Sequence, residues 1–116
     1  MITMHGLFTL KDEFTLEQFS QSFNDYAQHL SDQGYVTGWT CFFREPHNNY
    51  NLNSPEQHGL ISMDFPSRKE LDECWDFVVA DEEPIHSYHK GVNTKVTDIS
   101  FWVSQVVKSG TNQAGR

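Results

Sequence analysis

Three stretches of this sequence alternate apolar and polar residues, a fourth is rich in β-branched and aromatic residues, and helical patterns follow the first and the third of these four. Alternation with a period of two is typical of β-strands, because successive side chains point to opposite faces of a sheet. The predicted strands are residues 2–10, 35–44, 58–65 and 96–103. With the helices placed after the first and third strands, the element order is βαββαβ, which is the ferredoxin-like plan.

The two helices are predicted from their start signals and their apolar stripes. Thr15 and Gln18 form a T-x-x-Q capping box, and Ser67 and Glu70 form an S-x-x-E box. Gly34 supplies a left-handed end to the first helix. The first helix should bury Leu16, Phe19, Phe23, Tyr26, Ala27 and Leu30, and the second should bury Leu71, Cys74, Trp75 and Val78.

Connection rules then fix the sheet. Right-handed crossovers require the first and third strands to lie centrally, which predicts an antiparallel sheet of order 4-1-3-2 with both helices on one face. A short helical turn over residues 85–90, ended by Gly91, should precede the fourth strand. The predicted class is α+β.

Length and charge limit the alternatives. The 116 residues suit one domain over residues 1–108, followed by a polar, disordered tail over 109–116. A net charge of −8 without a basic stripe argues against nucleic acid. The opening residues predict a strand and not a signal peptide, and no apolar run is long enough to span a membrane. Two cysteines without a CxxC motif indicate free thiols and a cytoplasmic location.

The helices can cover only one face of the predicted sheet, so the other face should be open. Strand 2 adds either Thr37, Trp39, Cys41 and Phe43 or Val36, Thr40, Phe42 and Arg44, and alternation does not decide between these sets. The remaining open-face residues would be His5, Leu7, His58, Leu60, Ser62, Asp64, Val96, Asp98, Ser100 and Trp102. Soluble monomers rarely expose so much apolar surface, which predicts a homodimer through this face with a partly wet cavity between the sheets.

Two segments carry a resemblance to a known family. They are "HGLFTLKDEFTLEQFSQSFNDYAQHLSDQGYVTGW" and "HKGVNTKVTDISF". In these segments the chain resembles uncharacterised small bacterial proteins within the dimeric α/β-barrel superfamily. The resemblance implies ferredoxin-like protomers that associate sheet to sheet. Its motifs are packing patterns, so it implies no catalytic residues.

Candidate site residues follow from the open face. His5 is the predicted acid–base residue, with Asp98 or Asp64 as the carboxylate that orients it. Trp39 and Trp102 are predicted stacking walls for a flat ligand, and Arg44 is a predicted anion contact. The other predicted ligand contacts are His58, Asp64, His89 and Asn93. Each of these histidines also has a purely structural interpretation, as a packed interface residue or a helix cap.

Three hypotheses about function remain open. The first is a homodimer that binds a small organic molecule in a cavity on the open face, with or without transforming it by acid–base chemistry at His5. The second is a non-catalytic module for dimerisation or for binding another protein. The third is a metal-dependent enzyme that uses His86 and His89 with an acidic residue. The pattern indicates no cofactor.

Overall fold

The computed structural model describes residues 1–51, 53 and 57–112. The predicted loop at 45–57 and the predicted tail at 109–116 therefore lie partly outside the described residues. The strands are β1 (Ile2–Leu10), β2 (Gly38–Phe43), β3 (Gly59–Phe65) and β4 (Val96–Gln105). The helices are α1 (Leu16–Asp32), α2 (Arg68–Val79) and α3 (Ile85–Asn93).

The sheet has the predicted order. Its four strands are antiparallel and run β2-β3-β1-β4, which is 4-1-3-2 read from the opposite edge. The α+β, ferredoxin-like prediction is confirmed. Both central strands are hydrogen-bonded on two sides, and β2 and β4 form the edges. None of the described helices is long and apolar enough to cross a lipid bilayer.

Helix α1 begins and ends where its sequence signals indicate. Thr15 Oγ1 accepts a hydrogen bond from the Gln18 N–H at 3.1 Å, and Gln18 Oε1 accepts one from the Thr15 N–H at 2.8 Å. These two bonds satisfy donors that a helix start would otherwise leave unpaired. Gly34 follows the helix with φ of +89°, a left-handed conformation that costs glycine little.

The core forms where α1 lies over the two central strands. Phe8 of β1 is fully buried, and its ring centroid is 4.4 Å from that of Phe19 in α1. Gly59 of β3 lies directly beneath the Phe8 ring, which occupies the space that a side chain would need. The other buried apolar residues are Phe23, Tyr26, Ala27, Leu30, Val36, Ile61, Met63, Phe65, Cys74, Ile85, Val92 and Val96.

The prediction that Val96 faces the open side is wrong. Leu7 pairs with Ser100 but Thr9 pairs with Thr97, so two residues of β4 oppose Phe8 alone. This is a β-bulge, and Asp98 adopts a left-handed φ of 52° within it. The extra residue resets the alternation, so Val96 is buried opposite Leu10 and Thr97 takes the open side.

Helices α2 and α3 depart from the prediction in two ways. Trp75 was predicted to be buried but is 69% exposed, because α2 packs against β3 and α3 and leaves this side chain outside the contact. Gly91 was predicted to end a short turn, but α3 continues to Asn93. There Thr94 caps the helix, with its N–H and its Oγ1 both donating to the Lys90 carbonyl.

Substituting Gly59 by alanine should destabilise the fold. The new Cβ would overlap the Phe8 ring, lying 2.7 Å from Cε1 and 2.9 Å from Cε2. Overpacking of this kind costs about 1–3 kcal/mol. The measurement is the free energy of unfolding in urea.

Gly91→Ala is the matched control, because nothing lies within 4 Å of the added Cβ and the residue is helical. Alanine should there stabilise the protein by about 0.5–1 kcal/mol. Equal effects of the two substitutions would contradict this description of the core.

Candidate functional site

His5 lies on the open face, in a cluster of polar and aromatic side chains. Its Nδ1 is 2.9 Å from Ser62 Oγ on β3, and its Nε2 is 2.7 Å from Ser104 Oγ on β4. The ring stacks on Trp102, with centroids 5.1 Å apart. Both ring nitrogens therefore contact hydroxyl groups, and one face of the ring is covered by the indole.

The structure does not bring the predicted carboxylates to this imidazole. His5 pairs with Trp102 across the sheet, and Asp98 lies four residues further along β4, beyond the bulge. Four strand residues span roughly 13 Å. Asp64 is nearer, but its Oδ1 accepts a hydrogen bond from Thr3 Oγ1 at 2.7 Å. The pairing of His5 with a carboxylate stays a prediction.

The structure decides which face of β2 is open. Trp39 Nε1 donates to Asn24 Oδ1 of α1 at 3.0 Å, so Trp39 lies on the helix side. Thr40 pairs with Ser62 and Phe42 pairs with Leu60, which places both on the open side. Phe42 is 51% exposed and adds to an apolar patch with Leu7, Leu60 and Trp102. We call these four residues the open-face patch.

A large cavity lies on the other face of the sheet, between α2 and the strands. We call this cavity the α2 cleft, and its volume is about 760 Å³. Helix α2 does not reach over the second half of β4, so Phe101 and Val103 remain 58% and 51% exposed on the helix side. The residues lining the cleft are Met4, Tyr26, Met63, Phe65, Arg68, Leu71, Asp72, Cys74, Trp75, Val78, Val79, Asp81, His89, Phe101, Trp102 and Val103.

His89 supplies the imidazole of the α2 cleft. It stacks on Tyr26, with ring centroids 5.6 Å apart, and its Nε2 lies 3.0 Å from Asn93 Nδ2. The amide nitrogen can only donate, so Nε2 accepts and the ring proton sits on Nδ1. Burial lowers the pKa of His89 below its ordinary 6.5, which keeps the imidazole neutral at pH 7. Burial also raises the pKa of the Tyr26 phenol.

The cysteines and His86 offer little reactivity. Burial raises the pKa of the Cys74 thiol to about 12 and also raises that of Cys41, so both stay protonated at neutral pH. His86 Nδ1 lies 2.8 Å from Asp81 Oδ1 and is engaged there. Among the described residues, no three histidine, cysteine or acidic side chains form a group that could hold a metal ion. The geometry therefore gives the metal-enzyme hypothesis no support.

His58 and Arg44 lie together in a second and smaller hollow at the start of β3. Its volume is about 460 Å³. Their main chains are joined, because the Arg44 N–H donates to the His58 carbonyl at 2.6 Å. The predicted ligand contacts thus fall in three places. They are the open face with His5 and Asp64, the α2 cleft with His89, which Asn93 contacts, and this hollow. Trp102 stacks on His5 and also lines the cleft.

Several residues of the α2 cleft were missed by sequence reasoning. Met4, Phe101 and Val103 were placed on the helix side correctly, but they were assumed to be covered. The relevant signal was the length of α2, because 12 residues give a helix of only about 18 Å. His47, which lies in the asparagine-rich loop beside Arg44, was also missed.

The fold recurs in solved structures of low sequence identity. The protein At3g17210 of Arabidopsis thaliana superposes with a TM-score of 0.71 at 9% identity, over 96% of this chain and 100% of that one. SnoaB, a cofactor-independent oxygenase from Streptomyces nogalater, gives a TM-score of 0.66 at 10% identity, over 93% and 94% of the two chains. A dimeric ferredoxin-like protein of unknown function from Thermobifida fusca gives 0.58 at 11% identity, over 90% of each.

These identities establish a shared fold and nothing about activity. No curated protein matches the sequence. A family model does match it, and the match covers residues 1–104. That range includes all three helices and all four strands, apart from the last residue of β4. The chain therefore belongs to the family of unknown function DUF6614.

Proposed function

We propose that this protein binds a flat, mostly apolar organic molecule in the α2 cleft. The observation that carries this proposal is the cleft itself, whose 760 Å³ falls within the range of about 300–1,000 Å³ that is usual for small-molecule sites. Its walls are largely aromatic and aliphatic, and Phe101, Val103 and Trp75 expose ring or methyl surface that a ligand would cover. Apolar burial would supply most of the affinity.

His89 would fix the orientation of the ligand. Asn93 holds Nε2, so the Nδ1–H of His89 is the group that donates to an acceptor oxygen. A neutral imidazole suits a carbonyl or hydroxyl group better than a carboxylate, because it brings no charge. The ligand class is therefore a flat aromatic or polycyclic molecule with at least one such oxygen. SnoaB, named as a cofactor-independent oxygenase, has the same fold, so oxygen chemistry without a cofactor is compatible with this architecture.

We also propose that the protein is a homodimer associated through the open-face patch. Leu7, Leu60, Phe42 and Trp102 lie side by side on that face, and burial against a second copy would remove them from water. The polar cluster of His5, Ser62 and Ser104 would lie inside this interface with its hydrogen bonds already made. The structure from Thermobifida fusca that shares the fold is described as dimeric.

Filling the α2 cleft should block ligand binding. We expect Val103→Trp to weaken the binding of 1-naphthol, followed by its fluorescence, at least about tenfold, which is about 1.4 kcal/mol. Val107→Trp is the matched control, because Val107 is 97% exposed and does not line the cleft. His89→Gln should weaken binding several-fold by removing one hydrogen bond of about 1 kcal/mol. Equal affinity in Val103→Trp and wild type would refute the cleft as the binding site.

The protonation of His89 tests its environment independently of any ligand. We expect its ring to titrate below pH 6.5 by NMR, because burial disfavours the imidazolium. The carboxylate of Asp81 partly opposes this shift, so Asp81→Asn should lower the pKa of His89 further. A rise in that pKa would contradict this electrostatic description.

The same shift makes the fold sensitive to acid. His89 binds a proton more weakly in the folded chain than in the unfolded chain, so protonation as pH falls below 6.5 favours unfolding. His89→Gln should therefore lose less stability between pH 7 and acid than wild type does, measured by urea unfolding. An unchanged pH dependence would show that this imidazole is not buried in solution.

A charge placed on the open-face patch should separate the protomers. Phe42→Glu would bury an unpaired carboxylate in the proposed interface, which costs several kcal/mol. We expect sedimentation velocity to show a dimer for wild type and a monomer for Phe42→Glu. Tyr50→Glu is the control, because Tyr50 is 82% exposed and lies outside the sheet. A monomeric wild type would rule out the interface.

A further inference from the structure

The hydroxyl group of Tyr26 has no hydrogen-bond partner in the wall of the α2 cleft. Tyr26 is 8% exposed and lines the cleft, and its Oη forms no hydrogen bond with any described residue. The oxygen is still reachable, because the fully enclosed side-chain atom without a partner, among the described residues, is His29 Nε2. Buried hydroxyl groups normally have a partner, so a molecule inside the cleft is the expected one.

Tyr26 and His89 together present two protons to the cleft. Burial, followed by the nearby Cys74, raises the pKa of Tyr26 above its ordinary 10, so the phenol keeps its proton at neutral pH. The ring of His89 stacks on Tyr26 and carries its proton on Nδ1, because Nε2 accepts from Asn93. Neither proton has an acceptor among the described residues.

Two unpaired protons favour a ligand oxygen that only accepts hydrogen bonds. A ligand hydroxyl would add a third proton, and two hydroxyl groups share a single hydrogen bond, so one proton would stay unpaired. A carbonyl oxygen has two lone pairs and no proton, so it can accept from Tyr26 Oη and from His89 Nδ1 together. Leaving a proton unpaired in an apolar cleft costs free energy, which favours the carbonyl.

The charges of the cleft disfavour an anion. The residues described in its lining include two carboxylates, Asp72 and Asp81, and one guanidinium, that of Arg68. The guanidinium is already paired, with Arg68 Nε 3.4 Å from Asp72 Oδ1. A carboxylate ligand would lose its hydration and meet like charges, which two neutral donors do not offset.

We propose that the ligand of the α2 cleft is a neutral aromatic ketone whose carbonyl oxygen accepts from Tyr26 Oη and His89 Nδ1. This inference rests on the proposed function, because it names the polar group of the molecule bound in the same cleft. The two rings that carry the donors lie side by side, with centroids 5.6 Å apart. Phe101 and Val103 contact the ring system of the ligand, and Tyr26 selects among apolar molecules by their oxygen.

Three probes with the same ring system test the carbonyl group. They are 1-acetonaphthone, which has the ketone, naphthalene, which has no oxygen, and 1-naphthoate, which is charged. Their affinities for the full-length protein are measured by displacement of 1-naphthol. We expect Tyr26→Phe to weaken 1-acetonaphthone about fivefold, the effect of one hydrogen bond, and to leave naphthalene unchanged. In wild type, 1-naphthoate should bind at least about tenfold more weakly than the ketone.

Tyr88→Phe is the matched control, because it removes the same hydroxyl group from α3 at a position that does not line the cleft. Tyr26→Phe should also be as stable as wild type in urea, since it removes no hydrogen bond within the described protein. A loss of stability would show that the hydroxyl has a partner in the fold, which would overturn the inference.

The outcomes separate this inference from the proposed function. If Tyr26→Phe weakens both neutral probes equally, or neither, Tyr26 does not recognise the oxygen, and the inference fails while the cleft remains a ligand site. Binding of 1-naphthoate as tight as that of the ketone would also overturn it. If wild type binds none of the naphthyl probes, the proposed function fails and this inference fails with it.

The carbonyl carbon of the bound ketone gives a readout that does not depend on affinity. A hydrogen bond draws electron density from a carbonyl carbon, so the ¹³C resonance of labelled 1-acetonaphthone should move to higher frequency than in an apolar solvent. At saturation, Tyr26→Phe should reverse part of that shift, and Tyr88→Phe should not. A resonance that is the same in wild type and Tyr26→Phe would contradict a hydrogen bond from Tyr26.

Discussion

The arrangement of the whole protein depends on one contact between an aromatic ring and a residue without a side chain. Phe8 is fully buried, and its ring lies on Gly59 of the neighbouring strand. A ring in that position covers a glycine that would otherwise weaken the sheet, and the absent side chain lets the ring lie close to the strand. Phe19 packs against the same ring in a tilted arrangement, which ties α1 to β1.

The position of α1 determines where space remains. Helix α3 packs closely on α1, and α2 is then left with contacts to β3 and α3. None of the three described helices covers the second half of β4, so Phe101 and Val103 face the gap that α2 leaves. The cleft therefore arises because two helices, α2 and α3, follow β3, and α3 is the one that packs beside α1.

Much of the fold could be predicted from alternation and helix signals, and the exceptions share a physical cause. The boundaries of β1 and the cap at Thr15 followed directly from local patterns. The side of β2 did not, because the residues on both of its faces are apolar, and the faces are distinguished by the bond from Trp39 to Asn24 and by the pairing of Phe42 with Leu60. The burial of Trp75 was wrong because a helical stripe shows which side is apolar, and not whether a partner covers it.

The candidate site was less predictable than the fold. Sequence reasoning selected His5 because it lies on a central strand, yet the structure surrounds it with hydroxyl groups and an indole. The contacts of His47 and His58 depend on which backbone N–H groups reach their Nδ1 atoms. No pattern of residue types encodes the directions in which those N–H groups point, since the directions come from the path of the main chain.

The bulge at Asp98 lets a single strand satisfy two incompatible packing requirements. Before it, Val96 must point inward toward the core, and after it Trp102 must point outward to stack on His5. Without the extra residue, strict two-fold alternation would place Val96 and Trp102 on the same face. Deleting one residue at this point would therefore turn either Val96 outward or Trp102 inward. If Trp102 turned inward, its neighbours Phe101 and Val103 would turn from the cleft to the open face.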